Sequence, residues 1–314
     1  MSHRARGFGR WRTPTIHSNA IRILGSVAIL CALALFVDFR AVGTSLFSSI
    51  DKPSLLACVA LLVFSQYLSS VRLHALLRDH AVEAPYRDVA RANIYGIVGG
   101  MLLFNVFGQG VTRTVLLSHQ RVPPSMIFFL TLLERAIASL VLLTAALVAA
   151  AVLFRHIPLP AGDGGALLVQ YAGAATFAIA GVTWLGLKQR QRRSLFLICA
   201  SFASIATLRL IAFTLLMHAA TLVCYVLIAM NILPAASVAG AVAASAIVML
   251  VASLPISFAG WGIRELSASL AYAKIGFSTE QGLAVGVVIG LLSIIALACN
   301  AAWLGLRGHG PADG

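Results

Sequence analysis

Long apolar runs separated by short polar loops organise this chain from one end to the other. Six of them approach or exceed the ~20 residues that a helix needs to cross a bilayer. They lie at about 21–37, 54–71, 126–154, 166–187, 210–233 and 281–306. Another run, 195–208, reads as a helix lying along the inner interface between Arg193 and Arg209. The short-period alternation of a barrel strand is absent.

The polar intervals set the topology. Arginine and lysine gather at the N-terminus (Arg4, Arg6, Arg10, Arg12), after the second run (Arg72, Arg78, Arg87, Arg91) and after the fourth (Lys188, Arg190, Arg192, Arg193). Such loops stay on the cytoplasmic side of a membrane. The loop 156–165 is rich in Pro and Gly and poor in Lys and Arg, so it reads as external. Arg307 closes the last run, which places both termini in the cytoplasm of a cell whose inner membrane holds the chain.

A parity problem follows. The segment 93–124 must enter and leave on the inner side, and 235–279 on the outer side. The apolar stretch before Gly108 is about 14 residues, or ~21 Å of helix, which reaches mid-membrane without crossing. Gly108 and Gly110 read as the break there, with Arg113 near the tip; Gly260 and Gly262 read as the break in the second segment. The expected fold is therefore an all-α polytopic membrane protein with about six full spans plus two re-entrant broken-helix hairpins, eight apolar segments in all. Its expected organisation is a basic cytoplasmic segment over 1–20, a single transmembrane domain over 21–306 and a short tail over 307–314.

Composition agrees with this and removes other classes. The chain is 60% hydrophobic and only 11% charged. A soluble domain carries about 25% charged residues. The net charge of +13 suggests nucleic acid at first sight, but the basic residues sit where they fix topology, so no nucleic-acid partner is expected. The five cysteines (Cys31, Cys58, Cys199, Cys224, Cys299) are scattered, show no Cys-x-x-Cys and read as small packing residues. No histidine or cysteine spacing suggests a metal, and no cofactor is expected. The Gly-x-Gly spacings lack the strand that a dinucleotide site requires, and no phosphate-binding loop for ATP is present.

The two glycine-broken segments resemble each other. Phe107-Gly-Gln-Gly-Val-Thr-Arg113 precedes Val122-Pro-Pro-Ser125 and a long helix; Ala259-Gly-Trp-Gly-Ile-Arg264 precedes Gly276-Phe-Ser278 and another. Ser125 and Ser278 stand where N-caps are wanted, and Ser278-Thr-Glu-Gln281 has capping-box spacing. With one copy entering from each side, this is the pattern of an inverted-topology repeat. The alternative is a chance likeness between two glycine-rich breaks.

Charges inside apolar runs mark the candidate site, because charge at membrane depth is costly and persists where it has a job. Arg264 and Glu265 follow the second break, and Glu134 and Arg135 interrupt the third long run. Arg113 and Arg264 beside helix breaks suit a phosphate held bidentately, with Glu134 and Glu265 pairing the arginines when the site is empty. Neighbours on a helix do not face each other, so Arg264 and Glu265 need not pair together. The plainer readings are a polar helix start for Arg264-Glu265, a structural ion pair for Glu134-Arg135, a topological loop residue for Arg113 and a headgroup contact for Arg209.

These residues also carry a family likeness. Gly260-Trp-Gly-Ile-Arg-Glu265, and Gly108-x-Gly-x-x-Arg113 followed by Leu133-Glu-Arg135, resemble the flippase-like membrane region of lysylphosphatidylglycerol synthases and its free-standing relatives. The likeness spans about 21–306 and departs from the pattern at Asn105-Val-Phe107, where a proline is usual. It implies an inner-membrane translocase or carrier for a lipid with an anionic or phosphate-bearing headgroup, a phospholipid or an isoprenoid phosphate. The substrate contacts it implies are Arg113, Glu134, Arg135, Arg264 and Glu265. With the sequence ending at Gly314, aminoacyl transfer is not expected, and no catalytic residue is assigned. Two alternatives stand beside it: a membrane-embedded transferase acting on a lipid-linked substrate, and an accessory subunit of a glycan or lipid assembly system. Small residues near Ala239-Gly240-Ala241 would allow close packing, with a second copy or a pathway enzyme as partner.

Overall fold

The computed structural model describes residues 50–102, 105–120, 122–154, 205–254 and 261–306. The expected spans at 21–37 and 166–187, the N-terminal segment, the tail, most of the interfacial run 195–208 and Gly260 lie outside them. Among the described residues there are eight α-helices: α1 (Lys52–Asp79), α2 (Tyr86–Leu102), α3 (Asn105–Leu116), α4 (Pro124–Phe154), α5 (Ile205–Ile232), α6 (Val238–Ser253), α7 (Ile263–Ala273) and α8 (Thr279–Leu306). A 3₁₀ turn, Ser118–Gln120, lies between α3 and α4.

The helix ends follow from local chemistry. Pro53 stands in the first turn of α1, and Pro124 opens α4, where a missing N–H costs nothing. Ser125 therefore lies inside α4 and not at its cap as expected. Ser237 caps α6 by accepting from the Gly240 N–H at 3.2 Å. At α8 the expected capping box forms: the Ser278 N–H donates to Gln281 Oε1 at 2.9 Å, and the Gln281 N–H donates to Ser278 Oγ at 3.2 Å. Gly262 opens α7 at φ 84°, a conformation that side chains resist.

Four helices are long and apolar enough to cross a membrane: 52–79, 124–149, 206–232 and 279–305. Their outer faces carry exposed apolar stripes, such as Leu132, Leu140, Leu147 and Val148 on α4 and Leu208, Leu215, Leu216 and Val223 on α5. In water such patches are a liability; against lipid they are a solvent match. The other four helices are shorter. At 1.5 Å per residue α2 and α6 span about 25 Å, and α3 and α7 about 17 Å.

The eight helices form two units with the same order of lengths, long, medium, short and long: α1–α4, then α5–α8. A near-constant shift along the sequence carries one onto the other, taking Lys52 to Ile205, Tyr86 to Val238 and Phe154 to Leu306. The leading helices α1 and α5 pack antiparallel. Asp51 meets Asn231, Cys58 meets Cys224 and Ser65 meets Met217 in turn along their length. Where they cross, the Cys58 thiol donates to the Cys224 carbonyl and the Cys224 thiol to the Cys58 carbonyl, at 3.7 and 3.6 Å. The medium and short helices of each unit also lie antiparallel. Gly96 and Gly99 of α2 face Arg113 and Thr112 of α3. Ser245 of α6 hydrogen-bonds Tyr272 of α7 at 2.8 Å. The main core is where α1, α5, α6, α7 and α8 converge, around Cys58, Tyr225, Val248, Tyr272 and Ile289.

Two expectations are corrected. α3 runs unbroken through Gly108 and Gly110, so these glycines do not break the first segment, and Arg113 lies in the last turn of α3, at the end far from α2's C-terminus. The glycine at 110 is explained by packing, since a Cβ there would meet the Phe128 ring at 2.7 Å. Arg72, read as a loop residue, sits inside α1 and is buried.

Candidate functional site

Arg72, buried on α1, belongs to a polar network that five helices build inside the apolar bundle. At its centre is Glu134 on α4, 2% exposed. Arg113 of α3, 1% exposed, donates to its Oε2 from Nη1 at 2.6 Å. Arg72 donates to its Oε1 from Nε at 3.0 Å. One carboxylate thus joins helices that no backbone hydrogen bond connects.

The rest of the network holds those guanidinium groups in place. Arg113 also donates to Thr131 Oγ1 at 3.0 Å and to Asn93 Oδ1 at 2.5 Å. Asn93 in turn donates to Ser69 and Ser70 of α1, at 3.2 and 3.0 Å. Arg72 Nη1 donates to Thr214 of α5 at 3.0 Å. Thr131 and Thr214 pass their own protons back to Ile127 and Leu210 carbonyls, which leaves their oxygens aimed at the arginines. Arg135, next to Glu134, faces elsewhere and donates to Gln109 Oε1 of α3 at 3.0 Å.

The network is not electrically closed. Among the described residues, Arg72, Arg113 and Arg135 set three positive charges against the one carboxylate of Glu134, an excess of two. Nor is it saturated. Among the described residues, Arg113 Nε is buried with no partner, and so is Nε2 of His218, one turn beyond Thr214 on α5. Buried polar atoms are nearly always paired, and each exception asks for a reason.

The second expected cluster is built differently. Glu265 is the third residue of α7 and folds back, accepting the Gly262 N–H at 2.6 Å. Arg264 turns onto the same carboxylate, with Nε and Nη2 at 2.9 and 2.7 Å from Oε1. The neighbours pair, a point the sequence left open, because the capping position bends the glutamate back over the helix start. Arg264 also lies 4.7 Å from the centroid of the Trp261 ring. Its guanidinium occupies the space of an absent side chain, since a Cβ on Gly290 would fall 2.0 Å from Nη2. Gly282, Gly286 and Gly290 form a stripe at four-residue spacing on α8, and α7 lies directly on it. No hydrogen bond or ion pair links this cluster to the first among the described residues.

Of the expected residues, the structure therefore gathers Arg113 and Glu134, places Arg135 beside them on another partner, and puts Arg264 and Glu265 in a separate pair. Arg72, Asn93, Thr131, Thr214, Gln109 and His218 were not anticipated. Arg72 had a signal, because the apolar run continues past it through Leu73, Leu76 and Leu77. The uncharged members had none, since their roles depend on which helix faces which. No group of His, Cys, Asp or Glu suited to a metal occurs among the described residues.

Apolar spanning helices around a buried, charged core define a multi-pass integral membrane protein. The chain belongs to the family of the lysylphosphatidylglycerol synthase TM region, whose model matches residues 20–299. No curated protein and no solved structure matches it.

Proposed function

We propose that this protein binds a membrane lipid by an anionic, phosphate-bearing headgroup at the Arg72–Arg113 network and carries it between leaflets. The observation that carries the reading is the charge imbalance. Arg72 and Arg113, both buried, share the one carboxylate of Glu134, half-buried Arg135 lies beside them on Gln109, and Arg113 Nε has no partner among the described residues. A phosphate can take the place of Glu134 on two guanidinium groups at once, with bidentate geometry. Because the family is named for a synthase of lysylphosphatidylglycerol, phosphatidylglycerol is the first lipid to try.

The architecture supports a carrier. In this reading α2/α3 and α6/α7 are re-entrant hairpins, since each helix is shorter than a ~30 Å hydrocarbon core. The antiparallel α1 and α5 head two like units, as an inverted repeat in the inner membrane would require. Glu134 is the group that a headgroup displaces, and Arg135 widens the positive field. Arg264 and Glu265 seat α7 on α8 and so hold the second hairpin in place.

Mass spectrometry of lipids retained by the purified protein tests the reading. Wild type should retain an anionic phospholipid or isoprenoid phosphate that Arg113→Ala loses and Arg264→Ala keeps. Bulk lipid alone, unchanged in Arg113→Ala, would reduce the network to a helix tie.

A further inference from the structure

Outside the network, the antiparallel faces of α1 and α5 leave a seam that ends on Arg72. It is lined by Arg72, Leu76 and Asp79 of α1 and by Ala206, Arg209 and Phe213 of α5, a partly open gap with no room for a water molecule. Its outer end is shut by one ion pair, Arg209 Nη2 to Asp79 Oδ1 at 2.7 Å. The pair is partly exposed, Arg209 at 45% and Asp79 at 24%, whereas Arg72 at the inner end is buried. Arg72 lies about two helical turns, ~10 Å, below Asp79.

Along this line charges alternate in sign: Arg209, Asp79, Arg72, Glu134, Arg113. Each carboxylate sits beside an arginine in a place that a phosphate can occupy equally well. An anion arriving at Arg209 would displace Asp79, meet Arg72 and then displace Glu134, without ever leaving a guanidinium. The sides of the seam are apolar or small, so the acyl chains of the same molecule could stay in lipid.

We propose that the α1/α5 seam is the entrance through which a lipid's phosphate group reaches the buried arginines, and that Asp79 is its latch. This rests on the headgroup reading of the Arg72–Arg113 network. The latch is closed in this structure. It is weak, because an exposed ion pair is held by little, and it is therefore suited to opening for a competing anion.

Exchange between leaflets tests this in phosphatidylcholine vesicles carrying a trace of tail-labelled phosphatidylglycerol, with a membrane-impermeant quencher added outside. Asp79→Asn should speed exchange about two- to fivefold, the scale of one exposed ion pair. A structural role for the pair would instead slow it or leave it alone. The charge swap D79R/R209D should return the wild-type rate. Ala206→Trp, which fills the seam, should slow exchange about tenfold or more, the scale of a blocked, overpacked site. Elution as a single species and an unchanged melting temperature qualify each variant, and Asp79→Asn decides alone if the tryptophan variant misfolds. Wild-type rates in Asp79→Asn and Ala206→Trp, with loss in Arg113→Ala, would overturn the entrance and spare the headgroup site. Wild-type rates in all three would overturn both.

Discussion

In the first four-helix unit, Glu134 reaches across to Arg72 on α1 and Arg113 on α3. In the second, among the described residues, Glu265 reaches only its neighbour Arg264 and the N–H of Gly262. The shift that takes Gly110 to Gly262 also takes Glu134 to Gly286 and Arg72 to Cys224. Where the first unit has a carboxylate and an arginine, the second has a bare backbone and a thiol. The glycine stripe of α8 then lets α7 pack by contact alone, while α3 and α4 are joined through charge. The two units thus differ in what holds them. The second seats α7 on α8 by packing and keeps its carboxylate local. The first carries excess positive charge and, among the described residues, a buried Arg113 Nε without a partner.

The sharpest way to break this comparison is to neutralise the two glutamates. Glu134→Gln strands Arg72 and Arg113 together in the bundle and should cost about 3–5 kcal/mol, the price of leaving buried charge unpaired. Glu265→Gln keeps the capping geometry and strands only Arg264, so about 1–3 kcal/mol is expected. Thermal unfolding in one detergent reads both; equal losses would erase the distinction between a shared and a local carboxylate.

Gly290→Val tests the packed unit next. Its side chain would enter the space of the Arg264 guanidinium, at a cost of about 1–3 kcal/mol. Ala138, the matching position of the first unit under the same shift, is half-buried on α4, and Ala138→Val should cost less in the same melt. The smallest effect is expected at the caps. Ser237→Ala and Ser278→Ala should each cost about 1 kcal/mol by loosening the starts of α6 and α8. Lipid retention should be unaffected, so loss of bound lipid in either cap variant would show that the second unit also holds headgroup.

Much of this was readable from sequence, though unevenly. Long helices, the Ser278 cap and the pairing of Arg113 with Glu134 leave local marks: apolar length, a Ser-x-x-Gln spacing, charge where charge is costly. Arg72 was hidden because it adjoins the basic loop residues Arg78, Arg87 and Arg91, where an arginine at the end of an apolar run looks topological. Gly108 and Gly110 misled for a related reason. A glycine pair in an apolar run marks either a break or a close helix approach, and only the facing residue, here Phe128, decides which. The stripe Gly282, Gly286, Gly290 carries a recognisable four-residue spacing in the sequence. Asn93, Thr131 and Thr214 could not have been found, because they acquire meaning only when α2, α4 and α5 are placed around Arg113 and Arg72.

The central claim is that an anion can stand where Glu134 stands. The most direct test measures the melting temperatures of wild type and Glu134→Gln with added phosphatidylglycerol, against phosphatidylcholine as control. A ligand that binds only the folded form raises stability in proportion to its affinity. The phosphatidylglycerol shift should be larger in Glu134→Gln than in wild type, because the lipid phosphate replaces the missing carboxylate without having to displace it. Equal shifts in the two proteins, or shifts that phosphatidylcholine matches, would contradict the account.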